Sequence, residues 1–130
     1  MNYNEVQLIR VYTAEKGGII LEQNIPSDAE FEVVVEAKAG MVLFGTGGNY
    51  EIQIVVRDLT DFTIVHKDSL KGNFTQEPWD EPVLPYAFPI PAQGGAKENH
   101  IYDVLASLSV GIKNPNVSFV TSPMFMICKP

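Results

Sequence analysis

Apolar and polar residues alternate along most of this chain, and a two-residue period predicts strands. The clearest run is residues 31–39. Phe31, Val33, Val35, Ala37 and Ala39 fall on one side, with Glu32, Val34, Glu36 and Lys38 on the other. One face is set for burial and one for water, as in an antiparallel sheet with its core on a single side. Gly40 ends this strand, and Gly45-Thr46-Gly47-Gly48-Asn49 reads as a flexible connection. Tyr50, Ile52, Ile54 and Val56 resume the alternation against Glu51, Gln53 and Arg57. Asp58-Leu59-Thr60-Asp61 reads as a tight turn. Phe62, Ile64 and His66 then alternate with Thr63, Val65 and Lys67, so residues 50–67 are expected as a hairpin.

Other segments are less regular. Residues 5–12 carry Val6, Leu8 and Tyr12 on one side and Ile9 and Val11 on the other, which predicts a strand covered on both faces or one that changes sheets. Gly17-Gly18 breaks it, Ile19-Ile20-Leu21 resumes it briefly, and Pro26-Ser27-Asp28 is a turn cluster. Residues 100–110 fit two patterns. Tyr102, Val104, Ala106, Leu108 and Val110 alternate with Asp103, Ser107 and Ser109 as in a strand. Ile101, Val104, Leu105 and Leu108 also follow helical spacing, with Asn99 as an N-cap and Gly111 as a stop. The strand is preferred, because the polar positions alternate cleanly and the neighbouring segments are strands. Lys113-Asn114-Pro115-Asn116 is a turn and Pro123 interrupts the ladder that follows. Met124 to Cys128 is then either a central core strand or a sticky edge open to self-association.

Residues 71–97 stand apart, punctuated by Pro78, Pro82, Pro85, Pro89 and Pro91. That proline density excludes a helix or a central strand. An edge segment or a long loop fits, with Tyr86, Phe88 and Ile90 as a short inward-facing set and Gln93-Gly94-Gly95-Ala96 as a turn. The sum is an all-β chain: an antiparallel two-sheet sandwich of about seven or eight strands, immunoglobulin-like or jelly-roll-like, with one long Pro-rich loop. The Pro-flanked strand at 86–90, the Gly turn and the long strand opened by Tyr102 resemble an immunoglobulin-like sandwich in pattern. The Cys–Trp–Cys spacing of true immunoglobulin domains is absent, since there is one Cys and one Trp.

At 130 residues the chain is expected to form a single domain, 1–130, able to bury a core without disulfides. Its formal net charge of −7, from 16 acidic and 9 basic residues, disfavours nucleic acid and anionic membranes as partners. Charged residues interrupt every stretch near the N-terminus that could serve as a secretory leader, so a cytoplasmic location is expected. Asn73-Phe74-Thr75 and Asn116-Val117-Ser118 match the glycosylation acceptor pattern, at a frequency that chance accounts for.

Catalytic and cofactor chemistry is hard to find. The Gly45–Gly48 stretch lacks the Lys of a phosphate loop and is followed by a strand rather than a helix. The two histidines, His66 and His100, have no adjacent nucleophile motif, and His66 is expected to be exposed. Asp58 and Asp61 read as turn formers rather than metal ligands. No cofactor is implied, and the single Cys128 suits a buried or idle thiol. The most informative stretch is Gln76-Glu77-Pro78-Trp79-Asp80-Glu81-Pro82, with the only Trp between two prolines and beside three acids. Trp79 either caps the open end of the core or anchors a binding loop together with Tyr86, with Asp80 and Glu81 as its polar rim. These readings favour a non-catalytic binding or assembly module that meets a protein partner, or its own copy, through loops or an edge strand. The alternatives are a small-molecule or carbohydrate binder with a pocket near Trp79, Tyr86 and Tyr50, or a structural subunit of a larger assembly.

Overall fold

The computed structural model describes residues 6–18, 20–95, 99–111 and 116–130. Alternation becomes strand wherever it was clear. The elements are β1 (Val6–Glu15), β2 (Asn24–Pro26), β3 (Phe31–Ala39), α1 (Met41–Gly45), β4 (Asn49–Asp58), β5 (Thr63–Asn73), β6 (Val83–Ile90), β7 (Ile101–Val110), β8 (Asn116–Thr121) and β9 (Phe125–Cys128). One sheet runs β1-β3-β6. The other runs β2-β9-β7-β4-β5, with β8 also pairing β7. All pairings are antiparallel except β2 with β9, which is parallel. This is an all-β sandwich, and its core forms where the inner faces meet. Val33, Val35 and Ala37 of β3 and Leu84 and Phe88 of β6 pack into one cluster with Ile52, Ile54 and Val56 of β4 and Val104, Ala106 and Leu108 of β7.

Two irregularities reassign faces. A register shift in β1 between Leu8 and Arg10 makes Ile9 an extra residue in the ladder. Val6 and Leu8 face the core before it, and Val11 and Thr13 after it, while Ile9 is exposed. The apolar residues on both sides of residues 5–12 therefore have two sources. One is the bulge at Ile9; the other, beyond it, is a strand covered on both faces, where Tyr12 and Ala14 are buried with Val34 on the face opposite Val11 and Thr13. A second shift lies where Val56 pairs with His66 but Arg57 pairs with Ile64, which leaves Val65 as the extra residue of β5. His66 is consequently turned inward and half-buried, correcting the exposed position expected for it, while Ile64 is 55% exposed. Phe62 belongs to the turn instead of the strand.

β7 is a strand, not a helix, because it has cross-strand partners on both sides: β4 along its whole length, and β8 and β9 in succession. Pro123 falls between β8 and β9. Ser122 bridges the gap, its N–H donating to the Val104 carbonyl at 2.9 Å and its Oγ accepting the Val104 N–H at 2.9 Å. A hydroxyl here takes the place of a ladder carbonyl next to a residue without an N–H. β9 lies between β7 and β2, so the Met124–Cys128 segment is not a free edge.

The Pro-rich stretch resolves into a loop, residues 74–82, and the edge strand β6. Pro85 and Pro89 sit on β6 where a missing N–H costs the sheet least. At the edge of the second sheet, β5 carries exposed Lys67 and Lys71 together with its bulge. Both features blunt edge-to-edge pairing. No helix among the described residues is long and apolar enough to cross a membrane. The Lys113-Asn114-Pro115 part of the expected turn, together with Ile19 and Ala96, lies outside the described residues.

Candidate functional site

The loop at 74–82 is built around an indole that points inward. Trp79 is 0% exposed, with its ring edge-on to Tyr50 and to Phe74 at centroid distances of 4.9 Å each. Phe44 of α1 closes the cluster at 5.9 Å from Phe74. The indole Nε1–H donates to the Pro82 carbonyl at 3.3 Å, and the Thr75 N–H to the Trp79 carbonyl at 3.0 Å. A large apolar ring with one satisfied donor is well suited to this position. Trp79 is therefore buried as a cap on this end of the core, one of the two places expected for it. Asp80 and Glu81 are exposed on the outside of the same loop. Tyr86 lies on β6 rather than in the loop, half-buried, with its ring T-stacked on Phe88 at 4.8 Å.

Of the three residues expected to line a pocket, Trp79 and Tyr50 are buried in ring contact and Tyr86 is half-buried. Tyr50 is 3% exposed, and its hydroxyl is buried without a hydrogen-bond partner among the described residues. It lies against Gly72, where an added Cβ would come within 2.8 Å of the phenol oxygen. Burial raises the Tyr50 phenol above its ordinary pKa, and nearby Tyr86 adds to the shift. The cavities at the surface are grooves on the outer faces. One of about 520 Å³ is lined by Tyr50, Glu51, Lys71, Gly72, Asn73 and Ser109, and one of about 430 Å³ by Arg10, Tyr12, Val34, Glu36, Pro85 and Tyr86, so Tyr50 and Tyr86 line two different grooves. Arg10 is already engaged, 3.0 Å from Glu36 and 4.5 Å above the Tyr12 ring.

The most organised polar constellation lies elsewhere, at the β4–β5 turn. Asp58 Oδ1 accepts the N–H groups of Thr60 at 2.9 Å and Asp61 at 3.1 Å, which is the turn-forming role expected for Asp58. Asp58 Oδ2 lies 2.8 Å from His100 Nδ1, and Asp61 Oδ2 lies 3.9 Å from the same nitrogen. A carboxylate oxygen only accepts here, so Nδ1 carries the proton. Burial pushes the Asp58 carboxyl up, but the bonds from His100, Asp61 and Thr60 outweigh it and hold the group below its usual value. The Leu59 N–H donates to the Ile101 carbonyl at 2.8 Å and the Ile101 N–H to Thr60 Oγ at 3.0 Å. Five hydrogen bonds thus fasten the turn to itself and to the start of β7.

At the tip of this fastened turn stands Phe62, 91% exposed and with a φ of 58°. That left-handed conformation costs a non-glycine residue about 1–2 kcal/mol. Neither Phe62 nor the Asp58–His100 pair was visible as a site in the local pattern. Asp58 and His100 are 42 residues apart in sequence, and the β4–β7 register that pairs Asp58 with Tyr102 brings them together. His66 belongs to different surroundings, opposite Val56 with its Nε2 buried and without a partner among the described residues. Next to the turn, Arg57 makes a bidentate pair with Asp103 at 2.8 and 2.7 Å, and that hydrogen bonding raises the guanidinium pKa. No protein-family model matches this chain, and no curated protein is significantly similar to it.

Proposed function

We propose that the chain is a non-catalytic binding module of immunoglobulin-like arrangement that meets a protein partner through its loops, with the β4–β5 turn as the principal contact. The observation that carries this reading is Phe62. A phenyl ring left 91% exposed, on backbone at a φ of 58°, is unfavourable twice over in the free protein. The surrounding hydrogen bonds hold it there. Strained and rigid presentation of an aromatic side chain suits insertion into a partner's apolar pocket, where such residues dominate binding energy. Pre-organisation also lowers the entropy lost on binding. Ile64, 55% exposed and two residues away, extends the apolar surface.

The strand order supports the immunoglobulin-like reading, with β1-β3-β6 facing a sheet that holds β4, β5, β7 and β8. Loops are favoured over edges because β5 and β6 carry the lysines, bulge and prolines that discourage strand addition. A pocket-based ligand loses its best side chains to the core, since Trp79 and Tyr50 are packed against each other.

The test places a photo-cross-linking phenylalanine analogue at position 62 and, as a control, at exposed Lys129, in cells that make the protein. A discrete protein adduct from position 62 and not from position 129 is expected. Equal labelling from both positions, or none from 62, would sink the proposal.

A further inference from the structure

We propose that the base of the β4–β5 turn is a divalent transition-metal site, with Asp58, Asp61 and His100 as ligands and a zinc-class ion as occupant. The three donor atoms lie within 4.8 Å of one another. His100 Nδ1 is 2.8 Å from Asp58 Oδ2 and 3.9 Å from Asp61 Oδ2. Tetrahedral zinc with bonds near 2.0–2.1 Å sets its ligand atoms about 3.3 Å apart, so seating the ion would open the His100–Asp58 contact by roughly half an ångström and draw the Asp61 carboxylate inward.

This grouping differs from a solvated acidic patch in three respects. One donor is an imidazole nitrogen, and it arrives from a segment 42 residues away. The Asp58 side chain is only 5% exposed. The Thr60 and Asp61 N–H groups hold its Oδ1, so Oδ2 is the oxygen left facing the imidazole. Hydrogen bonds that orient a ligating carboxylate in this way are the usual second layer of a metal centre. A mixed imidazole and carboxylate set suits zinc, nickel or copper better than calcium or magnesium, which take oxygen ligands.

Ligation would move the Nδ1 proton to Nε2 by way of solvent, so that the ring stays neutral and the Nδ1 lone pair is free for the ion. Three protein ligands leave a fourth position for water. The site would tie Asp58, Asp61 and His100 together at the base of the turn that carries Phe62, but it does not depend on the binding role of that residue.

Zinc titration by calorimetry and the visible absorption of bound cobalt test the site with no partner present. Unmodified protein is expected to take one Zn2+ per chain. Asp61→Asn alters an exposed side chain, and His100→Gln keeps an N–H able to reach Asp58. Each is expected to weaken binding by at least about tenfold and to change the cobalt spectrum. His66→Gln and Cys128→Ser are expected to change neither. Failure to bind zinc stoichiometrically would overturn the proposal. So would binding that survives Asp61→Asn and His100→Gln unchanged, or that is lost with His66→Gln or Cys128→Ser.

Discussion

Tyr50 and Gly72 form a contact whose energetics can be worked through. The Tyr50 hydroxyl is buried without a hydrogen-bond partner among the described residues, and a Cβ at position 72 would fall 2.8 Å from that oxygen and 3.0 Å from Cζ. An unsatisfied buried hydroxyl costs about 1–3 kcal/mol. Tyr50→Phe is therefore expected to stabilise the fold by about 1 kcal/mol, once the lost contacts of the oxygen are allowed for. Gly72→Ala overpacks the same spot at about 1–3 kcal/mol, offset by about 0.4–1 kcal/mol from a less flexible unfolded chain. Its net cost is expected near 1–2 kcal/mol on those figures. In the Tyr50→Phe background the closest contact is gone, leaving a favourable coupling of about 1 kcal/mol between the two changes. Urea unfolding of the four proteins, followed by the fluorescence of Trp79, measures the cycle directly. A Tyr50→Phe variant that is less stable by 1 kcal/mol or more would refute the reasoning, because the hydroxyl would then have a partner. Strict additivity would refute the steric half.

The same hydroxyl predicts a pH effect. Its folded pKa is raised, so its contribution to stability is complete below the unfolded value near 10 and is lost as pH rises through the folded value. Urea midpoints from pH 8 to 11 should fall more steeply for the unmodified protein than for Tyr50→Phe. Ser122→Ala leaves the buried Val104 N–H without its acceptor and should cost about 1–3 kcal/mol, read from the shift in urea midpoint. Trp79→Ala empties the aromatic plug at the end of the core and should cost about 3–5 kcal/mol in the same assay. Phe62→Asn relieves left-handed strain and buries nothing less, so thermal unfolding should show a gain of about 1 kcal/mol. A loss there would mean that Phe62 packs on the fold.

How far the sequence reaches can be seen segment by segment. β3 and β4 were legible because their alternation is clear, and the burial of one face follows from the pleat, whereas β7 also fitted helical spacing until its cross-strand partners settled it. The faces of β1 and β5 were not, because one extra residue, Ile9 or Val65, inverts the assignment of what lies beyond it. Nothing local marks such a residue, since it is defined by the partner strand. The turn at Asp58 was readable from its own residues. Its junction with His100 was not, because the register between β4 and β7 makes it.

Sequence alone determined the class of fold, the exclusion of the Pro-rich stretch from a helix or a central strand, and the turn-forming role of Asp58. Those depend on periods, missing N–H groups and side chains that bond their own backbone, all of which are local. Tertiary structure decided that Trp79 is core and Phe62 is surface. The flanking residues of Trp79 are equally compatible with either place. The choice fell to Tyr50 and Phe74, which supply a close-packed site for the indole. Phe62 is left outside because the turn that Asp58 holds carries its backbone away from the core.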